Sequence, residues 1–455
     1  MTKTAFRNDF LRGLGSALIE LQMCTDPARF YDAVLYGCLH NTTYDSQCEG
    51  ERGWYLHQAA KLSGNEAAIE EAVCQKFFHI REDVWLFEQL TSTLYHFAVD
   101  GNETARDALY EQYEAMLREL SRKRKFQQIY SRRDMFDRLC DWLILLDGWS
   151  AFKKIVDDVS EFLLPKNIDF FFSDCFYSNS RRKFGKTRVA YYLQKQSEQL
   201  PHIRIFYEAA KEWDKKWGCN YVREYPPAPT LNEVLDAAKG EFGGRGLVMN
   251  FARKANPENL EKLAQAAMNE VDANAQVGLL WAFRRAAKYA FPEAFLSRLS
   301  QSDDELLRCL AYEFIGQNPS PETRELARAL IQSGKELENG ISLLAKNPLP
   351  EDEGLLYEAV KSFRPGRSKG DWHGVYMDAR DGAETMRGKP KTSILEYLYR
   401  NTLCGTCRER IVRTMHKKGV LSDEILSECR FDANDDIRAF AARITRYRNR
   451  SKDKR

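Results

Sequence analysis

Helix start and stop signals recur at short intervals through residues 230 to 450, and this punctuation constrains the fold more than any other feature of the chain. Thr230-Leu231-Asn232-Glu233 is a capping box, in which a hydroxyl and a carboxylate three residues apart satisfy amides that a first helical turn leaves without partners. Gly240 and the Gly243-Gly244 pair stop the helix it starts. Asn256-Pro257 opens the next, because proline tolerates the first turn, and Leu260, Leu263 and Ala267 then fall on one face. Ser302-Asp303-Asp304-Glu305 is a second box, expected to lead a helix that buries Leu306, Leu310 and Phe314, with Leu307 beside them, and ends near Gly316. Ser320-Pro321-Glu322 starts a helix that Gly334 ends. Thr406-Cys407-Arg408-Glu409 is a third box, followed by Ile411, Val412, Met415 and a stop at Gly419. Helices of this length joined by short turns pack as antiparallel neighbours.

The first half has the same period with weaker punctuation. Segments 6–23, 54–62, 66–79, 84–98, 104–122, 135–146 and 150–163 space their apolar residues helically and hold few Gly or Pro. Ile168 to Tyr177, rich in Phe, fits a short strand and a buried helical turn equally well. Tyr225-Pro226-Pro227-Ala228-Pro229 cannot be helical and reads as an extended linker. The expected organisation is therefore an N-terminal helical region over 1–224, a Pro-rich linker and hinge at 225–230, a repeat region over 231–450 and a basic tail at 451–455. Within the repeat region, the glycine-rich stretch 364–390 reads as a long loop.

Charge gives little direction, since 68 Lys and Arg face 66 Asp and Glu, and a net +2 supplies no global field to attract nucleic acid. No run approaches the ~18–20 apolar residues of a membrane span, and the N-terminal residues lack the apolar stretch of a secretory signal. Eleven scattered cysteines without framework spacing suit a reducing compartment. A cytoplasmic protein without membrane contact is the expectation.

Three segments share a register on helical positions: Asp272-Ala273-Asn274-Ala275-Gln276-Val277, Ser302 to Arg308, and Asp432 to Arg438. In each, an acidic or small polar turn precedes an aliphatic residue, and Arg308-Cys309-Leu310-Ala311 matches Arg438-Ala439-Phe440-Ala441. Such a pattern fits stacked helix hairpins whose turns cap the second helix. In these residues the chain resembles the HEAT-repeat family, with a repeat shorter than the ~40–47 residues usual there. The resemblance covers 231–450 and is closest over Ile425 to Ile444. It implies an all-α fold, a right-handed α–α superhelix of HEAT-like hairpins whose concave surface holds other molecules.

Few residues suggest chemistry. Phe184-Gly185-Lys186-Thr187 ends like a phosphate loop, but Ser180 stands where that motif needs its first glycine. Cys404-Gly405-Thr406-Cys407 places two thiols at a helix start, where amide dipoles favour a thiolate, and His416 and Cys429 are the nearby residues that could complete a metal set. The spacing argues for packed thiols, with no metal and no cofactor. Cys38, His40, Cys48 and His57 have no ligand spacing. The 364–390 stretch adds Asp371, Trp372, His373, Tyr376, Asp378, Arg380 and Asp381 as groups able to clamp a ligand. Basic clusters occur at Arg122-Lys123-Arg124-Lys125 with Arg132-Arg133, at Arg181-Arg182-Lys183 with Lys186 and Arg188, and from Arg443 to the end.

Two functions follow as expectations. The first is a non-enzymatic scaffold that holds a protein or peptide partner on its concave face. The second is a nucleic-acid-binding protein, of the kind of HEAT-like DNA glycosylases, using the clusters at 122–133 and 181–188 as a phosphate-tracking groove. No catalytic residue is identifiable from the sequence.

Overall fold

Apolar residues at helical spacing, with polar caps at one end and glycines at the other, leave little alternative to helix. The structure is a computed structural model that describes residues 1–122, 130–164, 176–217, 229–240, 244–285, 288–363, 369–388 and 393–452. It is all-α, with 27 α-helices and no strand among those residues. No described helix is long and apolar enough to cross a membrane. Residues 168–175 and 225–228, the ambiguous segment and most of the expected linker, lie outside the described residues.

Two compact units divide the chain. Met1–Val222, Leu403–Glu409 and Ser422–Arg455 form the first, and Arg223–Thr402 with Arg410–Leu421 forms the second. The C-terminal segments, grouped with 231–450 from sequence, thus share a unit with the N-terminal helices.

Periodicity suggests one segment over 6–23, but Gly13, at φ 77, splits it into helices Lys3–Arg12 and Gly15–Met23. Phe6 stacks on Phe30 at 4.0 Å between centroids and Phe10 on Tyr55 at 5.3 Å, which closes the N-terminal core. Helix Val84–Val99 buries Phe87, Leu90, Leu94 and Phe97 against helices Gly53–Leu62 and Tyr130–Asp147. The Arg12-Gly13-Leu14-Gly15 turn receives the end of the chain. The Ala433 amide donates to the Gly13 carbonyl at 2.8 Å, and a Cβ on Gly15 would lie 1.9 Å from the Glu428 carbonyl oxygen. Only glycine permits that approach. Beneath the turn, the guanidinium of Arg408 forks onto Asp432 at 2.7 and 2.8 Å and reaches the Gly13 carbonyl at 3.4 Å, both ion-pair partners being fully buried.

In the second unit the caps decide where helices begin. Thr230 and Glu233 form the expected reciprocal box, with Glu233 N to Thr230 Oγ1 at 3.3 Å and Thr230 N to the Glu233 carboxylate at 2.6 Å. Asn256 and Ser320 cap as expected. The Ser302 box does not form: Asp304 accepts the Leu307 amide at 3.0 Å, so the helix is Glu305–Ile315. Leu307, Leu310 and Phe314 are buried as expected, while Leu306 faces outward, 48% exposed. The 364–390 loop is also corrected, because Lys369–Thr385 is a helix. Its Gly382 permits contact rather than a turn, since a Cβ there would lie 3.0 Å from the Ala345 Cα on helix Leu337–Lys346.

The repeated segments share one turn geometry. Asp272, Asp304 and Asn434 cap the amide three residues on, at 2.8, 3.0 and 3.1 Å. The side chain four residues past each cap folds back: Arg308 onto the Ser302 and Asp303 carbonyls, Arg438 onto those of Asp432 and Ala433, and Gln276 onto Ala267 and Glu270. This register sets Asp272 against Asp304, two residues from the alignment read in sequence.

Candidate functional site

The first unit contains a cavity of about 400 Å³ whose wall comes from four separate stretches of chain. Glu49 and Glu51 flank Gly50 before helix Gly53–Leu62, Glu88 lies on helix Val84–Val99, Glu409 on helix Gly405–Lys417, and Asp435 and Asp436 open helix Asp435–Lys452. Cys48, Thr406 and Asn434 complete the polar lining, and no Lys or Arg faces it. Acidic residues suit the first turn of a helix, where they meet the positive end of its dipole, which accounts for Asp435 and Asp436 locally.

Arginines hold three of these carboxylates from outside the wall. Arg52 pairs with Glu49 at 3.1 Å, Arg138 with Glu88, and Arg438 with Asp435 while its guanidinium lies 4.1 Å over the Trp54 ring. Glu51 accepts the Gly53 amide at 2.6 Å and the Ser92 hydroxyl. Burial raises the Glu51 carboxyl above its ordinary value and outweighs those hydrogen bonds. Burial raises Glu88 as well, against the pull of Arg138.

Glu88 also borders a second cavity of about 420 Å³, lined by Arg138, Asp141, Trp142, Ile144, Leu145, Asn179 and Lys183. Burial pushes the Asp141 carboxyl up to about 6, partly offset by the Asn179 amide at 2.7 Å. One cavity is anionic and its neighbour offers an indole and aliphatic surface, so together they suit a ligand with a cationic group beside an apolar one.

The sequence-derived basic clusters are partly used within the unit. Arg132 is buried, paired with Glu119 at 2.9 Å and donating to the Ile80 carbonyl at 3.0 Å. Arg181 pairs with Asp214, and Lys183 donates to the Ile144 carbonyl at 2.7 Å. Arg182 bonds Asn179 at 3.1 Å, and Arg188 covers the Trp149 ring at 4.5 Å. Arg122 and Lys186 are exposed and Arg133 is half-buried, while Lys123, Arg124 and Lys125 lie outside the described residues. Gly185, at φ 90, simply joins helices Phe176–Phe184 and Lys186–Gln199.

Cys404 directly precedes helix Gly405–Lys417, so Thr406 is inside the helix and the third capping box is displaced. His416 lies nine residues beyond Cys407 on that helix, about 13 Å along its axis. Cys429 does not join Cys404 and Cys407 in a group of shared ligand distance, nor do Cys38, His40, Cys48 and His57 form one. On helix Lys369–Thr385, Tyr376 is buried and burial raises the Asp378 carboxyl, while Arg380 pairs with Asp381 at 2.5 Å and Glu384 at 2.6 Å. His373 is exposed, and Trp372 meets Tyr376 edge-on at 5.2 Å.

No carboxylate of the cavity stands out in sequence as a ligand. Asp435-Asp436 reads only as a cap, and Glu49-Gly50-Glu51 belongs to no motif. The one legible hint is that the turn leading into helix Asp435–Lys452 carries more negative charge than capping by Asn434 requires.

No family model matches the chain, and no curated protein matches it. Among solved structures, a crystal structure of an engineered protein is 10% identical, with 94% of this chain and 97% of that one covered and a TM-score of 0.17. A score that low carries no argument about fold or function.

Proposed function

We propose that the chain is a cytoplasmic binding protein built as a superhelix of HEAT-like hairpins, and that it holds a partner protein or peptide by a segment bearing lysine or arginine. The observation that carries this reading is the cavity walled by six carboxylates and no cation. Its volume, about 400 Å³, is in the range of pockets that accept a long side chain or a small group. Such a wall attracts a cationic side chain and repels phosphate, which favours a protein partner over nucleic acid at this place. Trp142 and Leu145, in the neighbouring cavity, would receive an apolar residue next to the basic one. Two arginines of the 122–133 and 181–188 clusters, Arg132 and Arg181, are already paired with carboxylates, which weakens the phosphate-groove alternative. The common turn geometry of Asp272, Asp304 and Asn434 supports the repeat reading.

Fluorescence anisotropy of a labelled peptide rich in Lys, Arg and Leu tests the proposal. Expected is binding that weakens as salt rises, and that falls by about tenfold, roughly 1.4 kcal/mol, in an Asp435→Asn/Asp436→Asn variant of unchanged circular dichroism. Absence of peptide binding at low salt, together with binding of DNA or RNA, would replace it with the nucleic-acid reading.

A further inference from the structure

Cys404 and Cys407 bracket the start of helix Gly405–Lys417, and the Cys404 sulfur accepts the Cys407 amide at 3.4 Å. Residues one turn apart in a regular helix have Cβ atoms about 5–6 Å apart. A disulfide needs about 3.5–4.5 Å. Because Cys404 precedes the helix, its backbone is not fixed by helical geometry and a small adjustment closes that gap. Neither cysteine is in a disulfide, and each is 3% exposed.

The turn they occupy is part of the cavity wall. Thr406, between the two cysteines, donates its hydroxyl to the Cys48 carbonyl at 3.1 Å, and Thr406 and Cys48 both line the cavity. Cys48 is exposed and lies near enough to Cys404 for the ionisation of one to affect the other. A small molecule in the cavity would therefore meet Cys48 and Thr406, the latter standing between the two thiols in sequence.

We propose that Cys404 and Cys407 form a reversible dithiol–disulfide couple, oxidised by small cationic disulfides, which the carboxylate-walled cavity beside their turn attracts. The Cys404 thiolate attacks one sulfur of a disulfide such as cystamine. The S–S bond of that molecule breaks, a mixed disulfide forms, and the departing thiolate takes a proton from solvent. Cys407, having lost its proton to solvent, attacks Sγ of Cys404 and expels the second small thiol. Two protein thiols are oxidised to one disulfide, and one small disulfide is reduced to two thiols.

The neighbouring groups favour this order. Hydrogen bonds from the Cys407 thiol and then the Cys407 amide lower the Cys404 thiol to about 7 against the effect of burial. Asp45, by hydrogen bond and charge, raises the exposed Cys48 thiol. Thiolate character governs attack on a disulfide, so the buried sulfur is the better nucleophile and the exposed one the poorer. The couple does not depend on what the cavity binds.

The test is mass spectrometry of the full chain after incubation with cystamine, with trapping by alkylation and peptide mapping. Expected is loss of the mass of two hydrogen atoms, a mapped Cys404–Cys407 linkage, and return of that mass on adding dithiothreitol. A Cys407→Ser variant should instead retain one cysteamine on Cys404. The wild-type mapping stands without the variant should that fail to fold. Cysteamine found on Cys48 while Cys404 and Cys407 remain reduced would overturn the proposal, as would linkage of either residue to Cys48.

Discussion

In the first unit the ion pair that fixes the end of the chain, Arg408 with Asp432, is fully buried, whereas in the second the arginines that tie successive helices together stay 24 to 32% exposed. Arg284 reaches Glu313 at 2.6 Å, Arg308 reaches Glu336 at 2.9 Å and Arg328 reaches Asp352 at 2.5 Å, each bridging to a later helix. The exposed rungs repeat along the chain, and each contributes modestly. The buried pair occurs at one place and specifies one pairing, that of residues 408–433 with the Gly13 turn. A buried pair adds little net stability over an apolar substitute, but breaking it strands a charge, so it selects between arrangements. The C-terminal segment of the first unit is thus fixed by one fully buried pair, whereas successive helices of the second are tied by partly exposed arginines.

Arg408→Ala should have the largest effect, about 3–5 kcal/mol off the first unit, read from its denaturant midpoint, because Asp432 is left buried without its partner. An equal loss in the second unit would break the distinction. Gly15→Ala should cost about 1–3 kcal/mol in the same measurement, since a methyl at 1.9 Å from the Glu428 carbonyl forces the C-terminal segment away. Gly382→Ala should cost less, its Cβ meeting Ala345 at 3.0 Å rather than a fixed carbonyl.

Acid sharpens the comparison further. Burial lowers both His57 and His96, in the first unit, from 6.5 to about 4. Between those values the unfolded chain binds protons that the folded unit does not, so stability is fully present above about pH 6.5 and falls as the pH drops towards 4. The expected loss is on the order of 1 kcal/mol per histidine after screening. A His57→Gln/His96→Gln variant should flatten that part of the pH profile. Asp141 works in the opposite sense. Its carboxyl is raised from 3.8 to about 6, so its stabilising contribution is present when it is protonated and is lost as pH rises through that window. Smallest is Arg308→Ala in the second unit, about 1 kcal/mol or less, because the Arg308–Glu336 pair is a quarter exposed.

Much of the helical framework was legible because caps act locally: Thr230, Asn256 and Ser320 do in the structure what their spacing implies. Where two candidate caps stood two residues apart, as at Ser302 and Asp304, the later one starts the helix and Leu306 faces outward. Glycine misled where it serves packing, since Gly382 looks the same in sequence whether it ends a helix or lets two approach. The cavity was not legible. Its carboxylates come from residues near 50, 88, 409 and 435, and only the docking of the C-terminal segment on the first helices brings them together. Two arginines of the basic clusters, Arg132 and Arg181, are engaged inside the unit by acceptors 13 and 33 residues away in sequence, Glu119 and Asp214.

Hydrogen–deuterium exchange on the Arg408→Ala chain tests most directly whether the two ends of the chain form one cooperative unit. The account predicts that amides around 11–18 and 428–437 lose protection together, while those of helix Pro257–Asn269 in the second unit keep theirs. Loss confined to 428–437, with the Gly13 turn still protected, would contradict it.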